Sequence, residues 1–566
     1  MSARMYESTP GNSKRRAVDT QDFMAVILVG YGENLFPFNE GPNVLPKALL
    51  PVGNVPIINS VLDWIFDSGL TDILIIVPPT FHSAISNHLS ENYSSTSHPR
   101  ARILLRRTTD GDKDEDDERS ETGGRNGEHG AIDRDGTARL LRRFKNHIKG
   151  DFVLLPCDVV APRTLTLSSV LDKHRANPQA VLTSVFYEPV EAVKDGEEKL
   201  LVALDQEAEE VLGIQPLESL EEDLDIRMNL IASHPRLSLT IRLLDAHIYV
   251  FRRTILDLMA TRRSKDLDSM REQVVPWLVK GGWQKGLQKS WAPILDPRKR
   301  DPFAGALARS TSTQYPSSLA FAYPTPDSSP SSDHTPLPPT GPTTPSRDHP
   351  MSASFGAESL EEAFATSSKH QLPWKCQIII SAPSPPSIAT ASQGKGKGKP
   401  QAAPEADHLI RANSLAGYWE LNRKFLRSLA PTVAPPPNRV VLSEDGAAPA
   451  ISVSAQISPD SLLGEGTKVG DRASIKKCIV GRHCNIGRGA KLTGSVLWDF
   501  VTVEEKYVKP LSVDLMKSAR IENTILCSNV RVGDKSQIKD CEFGPGYEAK
   551  PGANLKGERL VAGQEV

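Results

Sequence analysis

The chain has 566 residues, with 67 Lys and Arg against 69 Asp and Glu and a formal net charge of −2 at pH 7. That length exceeds one compact core, so two or three domains are expected, and the balanced charge gives no argument for a global nucleic-acid surface. Six cysteines (Cys157, Cys376, Cys478, Cys484, Cys527, Cys541) without a CxxC spacing read as reduced thiols. No apolar run reaches the roughly 18 residues of a membrane span. The N-terminus, with Lys14, Arg15 and Arg16, lacks the apolar stretch of a secretory signal, so the cytosol is the expected location.

Residues 1–22 read as a disordered N-terminus. Phe23 to Val29 is an apolar run ending at Gly30, the pattern of a strand buried on both faces. A glycine-bearing loop follows, then Leu45-Pro46-Lys47-Ala48-Leu49-Leu50-Pro51-Val52-Gly53-Asn54. Ile58, Leu62, Ile65 and Phe66 share one face of a predicted helix over 56–69 that Gly69 can end. Asp72 to Val77 (DILIIV) is a second buried strand, and this strand–loop–helix–strand order indicates an α/β sheet. Residues 108–135 are charged and glycine-rich, with DGDKDEDDE at 110–118; they cannot build a core and are expected to form a disordered acidic loop. Order resumes at Gly136-Thr137-Ala138 with a helix to about Lys149. Asp151 to Leu155 (DFVLL) is a strand leading into Pro156-Cys157-Asp158, and Ala180 to Tyr187, Leu237 to Leu243 and His247 to Phe251 read as further strands. The first domain is therefore placed at 23–300. Residues 301–400, rich in Ser, Thr, Pro and Ala and ending in GKGKGKP, have the composition of a disordered insertion, within which Trp374 to Ser381 (WKCQIIIS) has strand character. Residues 401–440 are read as a connecting helix, Ser414 to Leu429, carrying Tyr418, Asn422 and Arg423, and a linker through Pro435 to Pro437.

The last segment, 441–566, repeats itself about every six residues. Ile457, Leu463, Val469 and Ile475 are six apart; a step of five gives Val480, then Ile486 and Leu492; another gives Leu497, then Val503; the series returns at Leu526, Val532 and Ile538. Gly464, Gly470, Gly481, Gly487 and Gly533 each follow one of these residues. Such a period is that of a parallel β-helix of hexapeptides, in which one apolar residue per short strand points into a prism and each coil buries it only against its neighbours. Cys478 and Cys484, six apart, are expected to stack in adjacent coils. The register breaks at 504–519, which reads either as a loop leaving one coil or as a gene-model artefact.

Residues 23–80, 136–162 and 451–555 resemble the sugar-1-phosphate nucleotidyltransferase family: a Rossmann-like α/β domain with a mixed, mostly parallel sheet, followed by a left-handed β-helix. The motif positions that match are Gly30, Gly32, Lys47, Gly136, Thr137, Ala138 and Asp158. The resemblance implies a nucleotide site in which glycines let backbone N–H groups approach phosphates, Lys47 meets phosphate charge, and Asp158 holds Mg²⁺. Working enzymes carry a G-G-x-G-T-R-L segment. Here Val29-Gly30-Tyr31-Gly32-Glu33-Asn34-Leu35 is one residue shorter and sets Glu33 and Asn34 where Thr and Arg are expected. A second metal carboxylate is not evident; Asp245 is the weak candidate. The site is therefore read as vestigial, with no catalytic residue, no metal and no cofactor beyond residual nucleotide binding at Gly30, Gly32, Lys47, Gly136 and Asp158.

Within that family, PKALLPVGN at 46–54, LDAHIYVF at 244–251, SMREQVVPWL at 269–278, Tyr418-x-x-x-Asn422-Arg423 and SIKKCIVGRHC at 474–484 together resemble the gamma subunits of eukaryotic translation initiation factor 2B. The resemblance implies a non-catalytic assembly and regulatory subunit of the complex that exchanges GDP for GTP on initiation factor 2. Its implied partners are the epsilon, beta, delta and alpha subunits and initiation factor 2 itself, with no membrane and no direct nucleic-acid contact. Epsilon adds a C-terminal helical-repeat domain, and a chain stopping at Val566 fits gamma. The alternative is an active sugar-1-phosphate nucleotidyltransferase of the GDP-mannose or ADP-glucose pyrophosphorylase type. A third reading, a hexapeptide acyltransferase, rests on His483 as a base between coils.

Overall fold

A computed structural model describes residues 23–93, 98–111, 136–189, 198–220, 224, 226–261, 267–295, 374–382, 407–429, 450–504 and 519–564. All of them fall in one compact unit; the second unit, Arg300–Pro373, lies outside the described residues. So do the expected disordered N-terminus (1–22), most of the acidic loop (112–135), the remainder of the Ser/Pro-rich insertion (383–400), the proline linker and the register break at 505–518.

The apolar runs build a ten-stranded mixed sheet. Its order is Leu237–Thr240, Leu200–Asp205, Glu210–Pro216, Lys375–Ser381, Ala180–Tyr187, Leu244–Phe251, Asp151–Pro156, Phe23–Leu28, Asp72–Val77 and Arg102–Arg107. The four strands from Asp151–Pro156 to Arg102–Arg107 are parallel, because each strand returns through a helical crossover. Past Asp151–Pro156 the mostly parallel expectation gives way: only Lys375–Ser381 on Ala180–Tyr187 is parallel there, and the other pairings are antiparallel. Helix Ile57–Asp67 packs Ile58, Val61, Leu62 and Ile65 against one sheet face. The helix expected from 136 to about 149 is shorter, Thr137–Arg143.

Two expected disordered regions contain ordered structure. The acidic loop placed at 108–135 starts with a short 3₁₀ turn, Thr108–Asp110, where the Asp110 carboxylate accepts from the Arg107 N–H at 3.0 Å. The insertion placed at 301–400 contributes a central strand, Lys375–Ser381, between Ala180–Tyr187 and Glu210–Pro216. Composition of the flanks does not govern this segment, because Trp374, Cys376 and Ile378 are buried in the sheet core. The Trp374 indole donates to the Leu278 carbonyl at 3.2 Å.

Each coil of the C-terminal array gives one strand to each of three six-stranded parallel sheets. The residues of the hexapeptide series, from Leu463 to Ile538, are buried as read, with Ile457 only partly covered at the first coil. Across the register break the stack is continuous: Thr502–Val503 pairs with Arg531–Val532, and Lys491–Thr493 with Arg520–Glu522. Cys478 and Cys484 sit at successive corners of one coil rather than in adjacent coils, since the sheet repeat is 17 residues, as in Ile475↔Leu492. The described cysteines are unpaired and buried, and burial pushes the Cys478 and Cys484 thiols up to about 12.

The three sheets differ. On two, an exposed residue alternates with a buried one; on the third, both residues of Leu462–Leu463, Ile479–Val480, Val496–Leu497 and Ile525–Leu526 are buried. The outward members face helix Leu415–Leu429 and the loop carrying Leu35, Phe38 and Leu50, so the core of the β-helix runs without interruption into the α/β domain. Phe38, Tyr418 and Trp498 close this seam, with ring centroids 5.2–6.2 Å apart. The Trp498 indole donates to the Tyr418 hydroxyl at 2.9 Å, and that hydroxyl donates to the Pro51 carbonyl at 2.6 Å.

Val532 is fully enclosed. Val532→Asp should set an uncompensated charge inside the prism and cost several kcal/mol, roughly 3 or more. Urea denaturation of the variant should show an early transition of the array; an unchanged midpoint would refute this account of its core.

Candidate functional site

The segment Pro46 to Asn54 touches three parts of the molecule. Lys47 opens a single 3₁₀ turn, Lys47–Leu49, after extended Pro46. Gly53 lies in the left-handed region at φ +60, and a Cβ there would stand 2.4 Å from the Phe425 ring, so only glycine lets the turn pass beneath the helix. Its N–H donates to the Asn422 side-chain oxygen at 3.4 Å, and the Asn54 amide donates to the Val480 carbonyl of the β-helix at 2.8 Å. Tyr418 and Asn422, marked in the sequence, are thus residues that grip this turn. Arg423 lies over the Trp419 ring instead, 5.4 Å from its centroid.

Asp158 follows the buried strand Asp151–Pro156 and is fully buried. The short strand Ile410–Arg411 pairs antiparallel with Val159–Val160, which aligns Arg411 with Val159 and brings its guanidinium to the carboxylate. Arg411 donates to Asp158 Oδ1 at 3.1 Å and Oδ2 at 3.3 Å. Lys47 Nζ lies 2.7 Å from Asp158 Oδ2 and donates to Asn413 Oδ1 at 2.8 Å. The Ala412 N–H donates to the Asp158 carbonyl at 2.9 Å. Burial alone would raise the Asp158 pKa, but Arg411 and then Lys47 outweigh it and hold the carboxyl well below the usual carboxylate range. Burial, and then the Asp158 charge, push the neighbouring Cys157 thiol up to about 12, so it is no nucleophile.

The other marked residues divide. Gly32, at φ +77, places its backbone beside Lys47: a Cβ there would meet Leu35 at 3.1 Å and the Lys47 Cβ at 3.6 Å. Gly30 has open space where a Cβ would stand. Glu33 and Asn34 are exposed on the short turn that follows. Gly136 serves packing, since a Cβ would lie 2.2 Å from the Asp268 carbonyl oxygen. Its neighbours Ala138 and Thr137 bond the same segment, through Ala138 N–H to Asp268 O at 2.7 Å and Met270 N–H to Thr137 Oγ1 at 2.9 Å. Asp245 is engaged at a β-bulge, accepting from the His247 N–H at 2.8 Å and from the Tyr249 hydroxyl. Burial raises its pKa, which suits a proton rather than a metal. His247 occupies the bulge at φ +56. Burial and then Arg411 and Arg271 hold its pKa well below the ordinary imidazole value, so it is neutral at pH 7. His483 is an exposed corner residue stacked on Phe500 at 5.3 Å, which fits packing rather than a base between coils.

This donor set does not fit Mg²⁺. The carboxylate that the resemblance assigns to Mg²⁺, Asp158, already carries two cations, and a third would meet their repulsion in a poorly solvated place. The described residues contain no cluster of three or more metal-ligating side chains. Arg411, Asn413 and His247 escaped the sequence reading. The signal for Arg411 was a single charge in the otherwise apolar stretch Leu409-Ile410-Arg411-Ala412, which demands a buried partner.

Comparison with known proteins gives names to the pattern. Residues 446–555 match the family model described as the EIF2B subunit epsilon LbH domain, a left-handed β-helix. A Schizosaccharomyces pombe protein named translation initiation factor eIF2B subunit gamma is 29% identical over 311 residues, 53% of this chain and 60% of the relative. A Dictyostelium discoideum protein of the same name is 21% identical over 256 residues, 42% of this chain and 52% of the relative. The chain thus spans little more than half the length of these relatives, and its motif resemblance to initiation factor 2B subunits is matched by homologues bearing that name. No helix among the described residues is long and apolar enough to cross a membrane.

Asp158→Asn should leave Lys47 and Arg411 buried without their counter-charge and cost about 3–5 kcal/mol at pH 7. Because the folded pKa is depressed, the wild-type contribution is complete above the unfolded carboxylate value of about 4 and drains away as pH falls through the folded value. Chemical denaturation of both proteins from pH 7 to pH 2.5 should show the gap narrowing below pH 4. A gap independent of pH would assign the loss to packing.

Proposed function

We propose that this chain is a non-catalytic subunit of translation initiation factor 2B, the complex that exchanges GDP for GTP on initiation factor 2, and that it pairs with the epsilon subunit within an assembly that also holds alpha, beta and delta. The reading rests on the gamma name of its homologues together with one observation. The carboxylate at the ancestral metal position is neutralised by Lys47 and Arg411, which removes the charge a nucleotidyltransferase uses to hold its Mg²⁺. What remains is a scaffold whose former active-site residues tie the linker segment to the α/β domain. Assembly is supported by the opposite end of the sheet. Leu237–Thr240 is an edge strand, and Leu224, Met228, Ile231, Leu239 and Ile241 beside it are five of the nine large apolar side chains exposed among the described residues. An apolar patch on an open edge is characteristic of a surface that another chain covers. A translation subunit of this kind works in the cytosol.

The tagged chain, isolated from its own cells, should co-purify with an epsilon-like chain and initiation factor 2. Lys47→Ala in the assembled complex should leave nucleotide exchange within about twofold of wild type, a difference under ~0.5 kcal/mol. The isolated chain should release no pyrophosphate from nucleoside triphosphate and sugar phosphate with Mg²⁺. Recovery as a lone homo-oligomer with that activity would reverse the assignment.

A further inference from the structure

The sheet of the β-helix formed by Gln456–Ile457, Ser474–Lys476, Lys491–Thr493, Arg520–Glu522, Gln537–Lys539 and Asn554–Lys556 has no covering element among the described residues. Its inward residues Ile475, Leu492, Ile521, Ile538 and Leu555 are buried, and the residues on either side of them point to solvent. Those outward positions carry Lys476, Lys491, Arg520, Lys539 and Lys556 against one carboxylate, Glu522. That carboxylate is taken by its strand neighbour, with the Arg520 Nε donating to Glu522 Oε1 at 2.6 Å. No aromatic or large apolar side chain interrupts the face. The sheet beside it is more nearly balanced, with Lys468 and Arg531 exposed against Glu548.

The register of this face is unfavourable for a surface left to water alone. Lys491 stands directly against Arg520, and Lys539 directly against Lys556. Neighbouring strands lie about 4.8 Å apart, and like charges placed opposite one another on one sheet face repel and destabilise the pair. A negative charge placed between the members of such a pair offsets that repulsion. From Lys476 to Lys556 the column Lys476↔Thr493↔Glu522↔Lys539↔Lys556 crosses four strand spacings, about 19 Å at that spacing. An extended peptide of about six residues covers that length, with alternate side chains on one side.

We propose that this face binds an acidic, extended peptide segment of a partner protein, whose carboxylates bridge the stacked cations at Lys491–Arg520 and Lys539–Lys556. Exposed Thr493, Gln537 and Asn554 supply hydrogen bonds between the charges. Charge complementarity selects the acidic class, and the lack of aromatic stacking platforms disfavours a single-stranded nucleic acid, whose bases such proteins stack on rings. This site is separate from the Asp158 region and stands whether or not the chain is an initiation factor subunit.

The test measures anisotropy of a fluorescein-labelled peptide of alternating glutamate and serine titrated with the full-length chain. A glutamine-for-glutamate peptide and an oligouridine RNA of equal length serve as comparisons. The acidic peptide should bind, weaken as salt rises, and lose about tenfold or more in affinity with K491E/K539E, about 1.4 kcal/mol. K468E/R531E on the neighbouring sheet should leave binding unchanged. All four side chains are exposed, so both double variants should stay folded; if K491E/K539E does not fold, K491Q/K539Q should still weaken binding. The proposal is overturned by equal binding of the glutamine peptide, by no binding of the acidic one, by equal losses in both double variants, or by tighter binding of the RNA through the same lysines.

Discussion

A prism of hexapeptide coils normally hides one residue per strand and leaves its outer walls polar. Here one wall is apolar on the outside as well, through Leu462, Ile479, Val496 and Ile525. Burying side chains of this size is worth roughly 1.5–3 kcal/mol each, so the wall cannot be left in water. It is satisfied by helix Leu415–Leu429 and by the loop around Phe38 and Leu50. That requirement joins the β-helix core to the loop and helix of the α/β domain, while the two faces of the ten-stranded sheet keep apolar clusters of their own.

The consequence around Asp158 is electrostatic. Seating the helix brings the preceding strand, Ile410–Arg411, against Val159–Val160, and Arg411 arrives beside a carboxylate that Lys47 already faces. Buried charge is tolerated only when paired and hydrogen-bonded. Asp158 meets both conditions through two cations, and Lys47 has Asn413 besides. Lys47 and Asp158, which resemble members of a catalytic set, are therefore tied to the segment that carries Arg411 and Asn413. Asp245 tells the same story: it is bound up by Tyr249 and the His247 amide at a bulge.

The reading of the sequence was sharpest where a period or an apolar run carries the information. The strand Asp72–Val77, the strand Ala180–Tyr187 and the hexapeptide series are found at the positions read. Strands Leu200–Asp205, Glu210–Pro216 and Arg102–Arg107 went unread, because charged residues bound or interrupt their apolar runs. The segment Lys375–Ser381, read as having strand character inside a low-complexity neighbourhood, does form a strand, because its apolar run carries Cys376 and Ile378 into the sheet core. The apolar doublets of the β-helix were also visible as letters, yet only one residue of each was used. Both members being apolar is the sign of a wall covered from outside.

The sequence by itself determined the repeat, three of the four strands in the parallel block (Phe23–Leu28, Asp72–Val77 and Asp151–Pro156) and the motif resemblance of Gly32, Lys47 and Asp158, because periodicity and local turn chemistry are written along the chain. Only the tertiary structure decided what those residues do. Lys47, Asp158 and Arg411 are separated by up to 364 positions, and no local rule brings them together. Asp158 meets two cations because the segment carrying Arg411 packs beside it, and that segment leads directly into the helix that covers the apolar wall.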